Sequence, residues 1–250
     1  MFGIKRKRRE RLRAQQMPTA WVEIIERNVP YYRRLSPEDR RELQGHVQVF
    51  LAEKRFEGCG GLEITDEIRL TIAAQACVLL LHRATDYYPQ LRVILVYPHM
   101  YIAEATRRFP GGIVVEGREI RLGESWMAGA IVLSWDDVLR GAADIHDGHN
   151  VVFHEFAHQL DAESGKAEGA PVLPRRSMYI AWARVLRAEY EHLLDDMAHQ
   201  RRTVLDSYGA TDPAEFFAVA TEAFFEKPAE LKTRHPTLYE QLKLFYRQDP

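Results

Sequence analysis

His154, Glu155 and His158 stand as His-Glu-x-x-His inside the run Val151–Asp161. Four residues apart on a helix, two imidazoles project from one face at a spacing that one metal ion can bridge. Glu155 follows the first of them and can lean over the side of the ion where water or substrate sits. Two histidines and such a glutamate are the metal-binding half of a catalytic zinc site with its general base. The residues between them, Val151, Val152, Phe153, Phe156, Ala157 and Leu160, are apolar. They predict a buried helix, which suits ligands that must be held rigid. The bland alternative is a buried helix carrying two hydrogen-bonded histidines. Asp161 falls three residues past His158 on the same face, where a carboxylate can orient a ligand imidazole through its second nitrogen.

A catalytic zinc site takes three protein ligands and keeps one position open. No third histidine follows at the HExxHxxGxxH spacing, because positions 161 and 164 are Asp161 and Ser164. A carboxylate on a later helix must complete the set. Asp212-Pro213-Ala214-Glu215 opens such a helix, and Glu215 and Glu222 lie seven residues apart on one face. With Asp212 as cap and Pro213 in the first turn, Glu215 also occupies the reciprocal place of a capping box. Periodicity leaves Glu215 and Glu222 as equal candidates.

The elements that position these residues fall into three stretches. Residues 1–17 read as a basic flexible tail, and 18–250 as one domain. A first packed helix begins near Trp21 and stops at Val29-Pro30. Ser36-Pro37-Glu38-Asp39 starts a second, with Ser36 as cap and acids in the first turn. Thr65-Asp66-Glu67 starts a third, apolar on most sides and therefore central. Residues 91–97, 113–115, 119–122 and 130–135 are short, β-branched and broken by glycines, as strands of a small mixed or antiparallel sheet. Strand 130–134 stands either inside that sheet or at an edge able to pair with an extended peptide. Helices return over about 148–162, 175–200, 212–226 and 236–247. The fold class is α+β, mainly helical, with a small mixed sheet and the HExxH helix in one core.

The segments around the motif resemble a known family. His154–His158 with Asp161, followed by Tyr208-Gly209-Ala210-Thr211-Asp212-Pro213-Ala214-Glu215-Phe216-Phe217-Ala218, looks like a gluzincin-type peptidase. More closely, the chain resembles the Mlc titration factor A family of bacterial zinc peptidases. Phe56-Glu57-Gly58, Gly61-Leu62, Thr65-Asp66-Glu67 and Ala73–Cys77 extend the likeness over roughly residues 20–245. The related lethal-factor metallopeptidase domain shares the C-terminal pattern. The resemblance implies a zincin-like fold, with Glu215 as third ligand and Tyr208 lining the metal site, which leaves Glu222, like Asp161, to stand behind the ligands. It implies one Zn2+ held by His154, His158 and Glu215, with catalysis by Glu155 and Tyr208. Two imidazoles and one carboxylate leave such an ion near +1, enough to acidify water beside it. The implied activity is hydrolysis of short peptides, in an aminopeptidase-like manner. The family is also known for binding the glucose repressor Mlc, so a Mlc-like repressor is an expected partner. A non-catalytic protein that sequesters a repressor is the alternative.

Composition narrows the remaining classes. The chain has 250 residues, 46% hydrophobic and 28% charged, the balance of a soluble globular protein. Net charge is −2, with about +6 in the first 13 residues and about −8 in the rest. The body is therefore no nucleic-acid-binding polycation, and the tail lacks aromatic interleaving. Two cysteines, Cys59 and Cys77, make no disulfide framework. The longest apolar run, Ile72–Leu81, is half the length of a membrane span. With no apolar segment behind the basic start, the expected location is the cytoplasm.

Overall fold

The computed structural model describes residues 2–99 and 129–250, and the backbone of 102–108 and 114–120. In chain order the first half holds α1 (Phe2–Ala14), α2 (Thr19–Asn28), α3 (Pro30–Arg34), α4 (Pro37–Glu53), β1 (Arg55–Gly58) and α5 (Asp66–Val78). Strands β2 (Val93–Tyr97), β3 (Ile102–Arg108), β4 (Val114–Ile120) and β5 (Ala130–Ser134) follow. The chain then returns to helices: α6 (Trp135–Ala143), α7 (Val151–Asp161), α8 (Met178–Ala198), α9 (Pro213–Glu226), α10 (Pro228–Arg234) and α11 (Pro236–Tyr246).

The caps act where the sequence places them. Ser36 Oγ accepts the amide of Asp39, and Thr65 Oγ1 that of Ile68. Helix α5 is buried from Leu70 through Val78 and forms the centre of the molecule. Strands β1, β2 and β5 form a parallel sheet in the order β1-β2-β5, with Arg55 opposite Val93 and Val93 opposite Ala130. This corrects the expectation of a mixed or antiparallel sheet: among the described residues, antiparallel pairing is confined to the separate β3–β4 pair. β1 escapes a reading by apolar pattern because Arg55 and Glu57 of this outer strand are exposed and Phe56 is only half-buried. The expected strands 113–115 and 119–122 coincide in part with β4, and residues 113, 121 and 122 lie outside the described residues. Among the described residues β5 sits at one edge of the three-stranded sheet, the second of its two expected placements.

The stretch expected as a solvated tail contains a docked helix. Arg9 in α1 is only 12% exposed at its side chain and binds Glu53 with two nitrogens, at 2.8 and 2.7 Å. Its third contact is Asp86 at 2.5 Å, and its guanidinium lies 4.6 Å from the Tyr87 ring centre. Like charges packed along a helix repel one another, but two carboxylates from the body supply the counter-charge that holds α1 in place. Burial opposes the Glu53 charge, yet its bond to Arg9 prevails and holds that carboxyl below the usual range. Arg9→Ala should therefore lower stability by on the order of 1–3 kcal/mol, between exposed and buried pairs. Urea unfolding of a double-mutant cycle with Glu53→Ala measures the coupling, and additive losses would show that the pair does not dock α1.

Candidate metal centre

Helix α7 begins at Asn150, whose Oδ1 accepts the amide of Phe153. The two N–H groups of its Nδ2 are shared among Gln75 Oε1 at 3.0 Å, the Gly141 carbonyl at 3.2 Å and Glu226 Oε1 at 3.1 Å. Gly141 lets this happen: a Cβ there would stand 3.0 Å from the Asn150 Cα. The start of the motif helix is thus bolted to α5, α6 and α9 at once. Apolar residues Val152, Phe153, Phe156 and Leu160 bury its far side.

His154 and His158 turn their Nε2 atoms toward each other, 3.2 Å apart. Glu215, in the first turn of α9, places Oε2 2.9 Å from His154 Nε2 and 3.2 Å from His158 Nε2. Asp212 caps this helix through the amides of Ala214 and Glu215. The backbone of Glu215 thus serves the cap while its carboxylate meets the histidines. Glu222, two turns on, accepts from His154 Nδ1 at 2.7 Å and from the Asn150 amide at 2.5 Å. The two glutamates that periodicity could not separate differ in the nitrogen they meet. Glu215 faces the inner nitrogens and Glu222 orients one ring from behind.

These three donor atoms fit a metal ion. Bonds of about 2.0–2.1 Å at a tetrahedral centre set ligand atoms roughly 3.3 Å apart. The observed separations of 2.9, 3.2 and 3.2 Å are near that figure. Burial disfavours the Glu215 charge, but hydrogen bonds from both histidines outweigh it and hold its carboxyl down to about 2. Burial works against the charged ring of His154, yet Glu215 and Glu222 raise it well above the ordinary histidine value. Burial prevails at His158, which is lowered. The set therefore combines an anionic oxygen, one imidazole shifted toward its neutral form and one, His154, whose proton a metal must displace.

Glu155 is buried, 3% exposed, beside His154 in sequence. Tyr208 is 53% exposed on a short 3-10 turn, Ser207–Ala210. Its hydroxyl lies 3.4 Å from Glu215 Oε1 and its ring centre 5.9 Å from that of His154. Asp206 caps that turn through the Tyr208 amide, and Tyr190 of α8 donates to the Ala210 carbonyl. Partial burial, then Glu215 and Glu155, push the Tyr208 phenol up to about 12. It is a proton donor throughout the neutral range.

Asp161 has a placement that spacing did not suggest. Its two oxygens accept the amides of Gly169 and Ala170, each at 2.7 Å. Gly169 sits at φ +74°, where a Cβ would stand 2.4 Å from the Pro213 carbonyl oxygen. Asp161 thereby clamps the loop that abuts the start of α9, and so bears on Glu215. The Asn150, Gln75 and Glu226 bolt was missed altogether. Its members are ordinary polar residues, and only the run of polar groups at otherwise apolar positions of α5 and α9 hints at them.

A family model described as glucose-regulated metallo-peptidase M90 matches residues 4–247. The chain belongs to that family. The match takes in α1, beyond the span of roughly 20–245 expected from motifs. A protein of Synechocystis sp., itself described as uncharacterised, is 43% identical over 244 residues, covering 97% of this chain and 89% of its own. Mlc titration factor A of Serratia proteamaculans is 37% identical over 222 residues, with 86% and 84% covered. That of Klebsiella pneumoniae is 35% identical over 227 residues, with 89% and 84% covered. A metallo-peptidase family implies a metal, and the His154, His158 and Glu215 donors lie within 4.8 Å of one another. No helix among the described residues is long and apolar enough to cross a membrane.

Two outcomes follow for measurement. Glu215→Ala should abolish tight metal binding, whereas Glu222→Ala should weaken it by about 10–100-fold by freeing the His154 ring; competition with a chromogenic chelator reads both. Glu226 tests the bolt. Burial first, then neighbouring Glu222, push its carboxyl up to about 8, against its bond from Asn150. The folded chain therefore holds a proton that the unfolded chain releases above about 4.5, and stability falls as pH rises from 4.5 to 8. Asp161, raised to about 6 mainly by burial, adds the same sign only below that pH. Glu226→Gln keeps an acceptor for Asn150 and should remove about 1–3 kcal/mol of the decline between pH 6 and 8. Urea unfolding at both pH values checks this, and an unchanged decline would place the proton elsewhere.

Proposed function

We propose that the chain is a zinc-dependent, aminopeptidase-like peptidase that hydrolyses short peptides in the cytoplasm. The observation that carries this reading is the meeting of Glu215 Oε2 with both inner histidine nitrogens, with Tyr208 alongside. Two imidazoles and a carboxylate are a donor set suited to zinc. When bound, zinc supplies a Lewis acid that polarises a carbonyl and acidifies water.

The chain's own residues do the rest. Glu155, from its buried place on α7, takes the proton of the attacking water and passes it to the leaving amine. The Tyr208 hydroxyl, protonated at neutral pH, donates a hydrogen bond to the oxygen on which negative charge develops. Glu222 keeps the His154 ring turned to the site through Nδ1. Strand β5 packs on α7 and forms a sheet edge, which supports binding of an extended peptide by strand addition.

A second role rests on a different observation. Relatives 35% and 37% identical are named Mlc titration factor A. That name supports binding of a Mlc-like transcriptional repressor by this chain as well. Hydrolysis uses a few atoms at one centre, whereas holding a repressor takes a patch of roughly 800 Å² per partner. Glu155→Gln separates the two. It should retain zinc and repressor affinity, measured by calorimetry, while cleavage of a fluorogenic peptide panel falls by about 10²–10⁴. Tyr208→Phe should cost about 10–10³ in the same assay. Unchanged turnover in Glu155→Gln would refute the hydrolytic reading, and loss of repressor binding would place the docking surface in the cleft.

A further inference from the structure

A second group of metal-ligand side chains lies away from the HExxH helix. Glu189, His192 and Asp196 follow one another at positions i, i+3 and i+7, along one face of α8. His235, at the junction of α10 and α11, meets them from the opposite side. Its Nδ1 lies 2.7 Å from Glu189 Oε2, and His192 Nδ1 lies 4.0 Å from the same oxygen. The two imidazole centres are 5.8 Å apart. One donor atom from each of Glu189, His192 and His235 falls within 4.8 Å of the others. We propose that Glu189, His192 and His235 form a second site for a first-row transition ion such as Zn2+, Co2+ or Ni2+, stapling α8 to the α10–α11 junction.

The donor types choose the ion. Two imidazoles with one carboxylate favour these metals over Ca2+ or Mg2+, which take oxygen. The atoms behind the donors are also in order. Thr237 Oγ1 donates to the other oxygen of Glu189 at 3.0 Å, fixing that carboxylate. Asp196 Oδ2 stands 3.5 Å from His192 Nε2, where it can take that N–H while Nδ1 ligates. Asp196 is itself held through its other oxygen by Arg201, at 3.2 Å. Glu189 and His235 are nearly buried, whereas His192 is 52% exposed at its side chain and has room to turn in. A simple ion pair between Glu189 and His235 would need neither His192 beside it nor Asp196 behind.

The site opens on a cavity of about 490 Å³ lined by His192, Asp196, His235, Arg201, Arg202 and Arg234. The arginines make the approach of a cation less favourable, so affinity should fall below that of the HExxH centre. They also suit water or a small anion in the open position. An ion here would cross-link elements more than 40 residues apart and stabilise the folded chain by mass action.

The full-length chain, stripped with a chelator, is titrated with Co2+ and followed by calorimetry and visible absorption. The expected result is two equivalents, the second weaker. A His154→Ala/His158→Ala chain should keep one, and adding His192→Ala to it should leave none. His192→Ala alone should keep the tighter equivalent only. Zn2+ should raise the thermal midpoint of the His154→Ala/His158→Ala chain, and His192→Ala should cancel that rise. A single equivalent in the wild type that His192→Ala leaves in place would overturn the proposal. So would a second equivalent that survives His192→Ala. Glu189→Gln tests the carboxylate, and if circular dichroism shows it misfolded, the half-exposed His192 still carries the test. Should the HExxH centre take up no metal, the wild type would show one equivalent, lost in His192→Ala, so the two sites fail separately.

Discussion

One carboxylate oxygen organises this molecule's chemistry. Oε2 of Glu215 stands between the inner nitrogens of His154 and His158, at 2.9 and 3.2 Å. That contact requires α7 and α9 to meet at a set rotation and height, and most buried polar groups nearby serve this end. Asn150 ties the start of α7 to α5, α6 and α9. Asp161 ties its end to the loop that abuts Pro213. Around them the rings of Phe153 and Phe225 pack 5.2 Å apart, and Trp182 packs on Phe217 at 5.8 Å. Apolar packing supplies the cohesion, and the buried hydrogen bonds supply the alignment.

The motif was legible because its chemistry is local. Four residues of helix bring His154 and His158 together whatever the rest of the chain does. The division of work between Glu215 and Glu222 was not legible from spacing, since both lie on one face of α9. Which histidine nitrogen each meets depends on how α9 is set against α7, a tertiary fact. The resemblance names Glu215 as ligand, and the structure sets Glu215 against the inner nitrogens and Glu222 against Nδ1 of His154. Asp161 illustrates the opposite case. Helix phase points it toward the histidines, but at a helix end two loop amides compete for the same carboxylate.

Non-local pairing also accounts for what was misjudged in the fold. The run Lys5–Arg13 has the composition of a solvated tail, and its counter-charges lie 44 and 77 residues away in Glu53 and Asp86. Strand β1 has only Lys54 between it and α4, and its side chains are largely exposed. It is a strand because β2 lies beside it in parallel register, not because of its own pattern. Parallel pairing needs a crossover, here through α5, and no short-range signal in the strands announces it. Lys54 marks the junction, its buried ammonium donating to the carbonyls of Tyr88 and Leu91.

The three glutamates of α9 meet three different surroundings. Glu215 lies in the first turn, where the partial positive charge of the helix terminus favours a carboxylate. Its amide is capped by Asp212, and its side chain is held down to about 2. Glu222 is far from that terminus but receives the first amide of the neighbouring start, Asn150 N–H, at 2.5 Å. Both carboxylates flanking His154 are therefore held by a charged or dipolar partner. Glu226, one turn beyond Glu222, meets a helix start only through the neutral amide of the Asn150 side chain. Burial then dominates and its carboxyl rises to about 8. One helix thus presents a carboxylate to the inner histidine nitrogens, another to the back of a ring, and a protonated acid to the bolt that holds the frame. Glu215 and Glu226 differ in what surrounds them: two histidines outweigh burial at the first, and burial outweighs a neutral amide at the second.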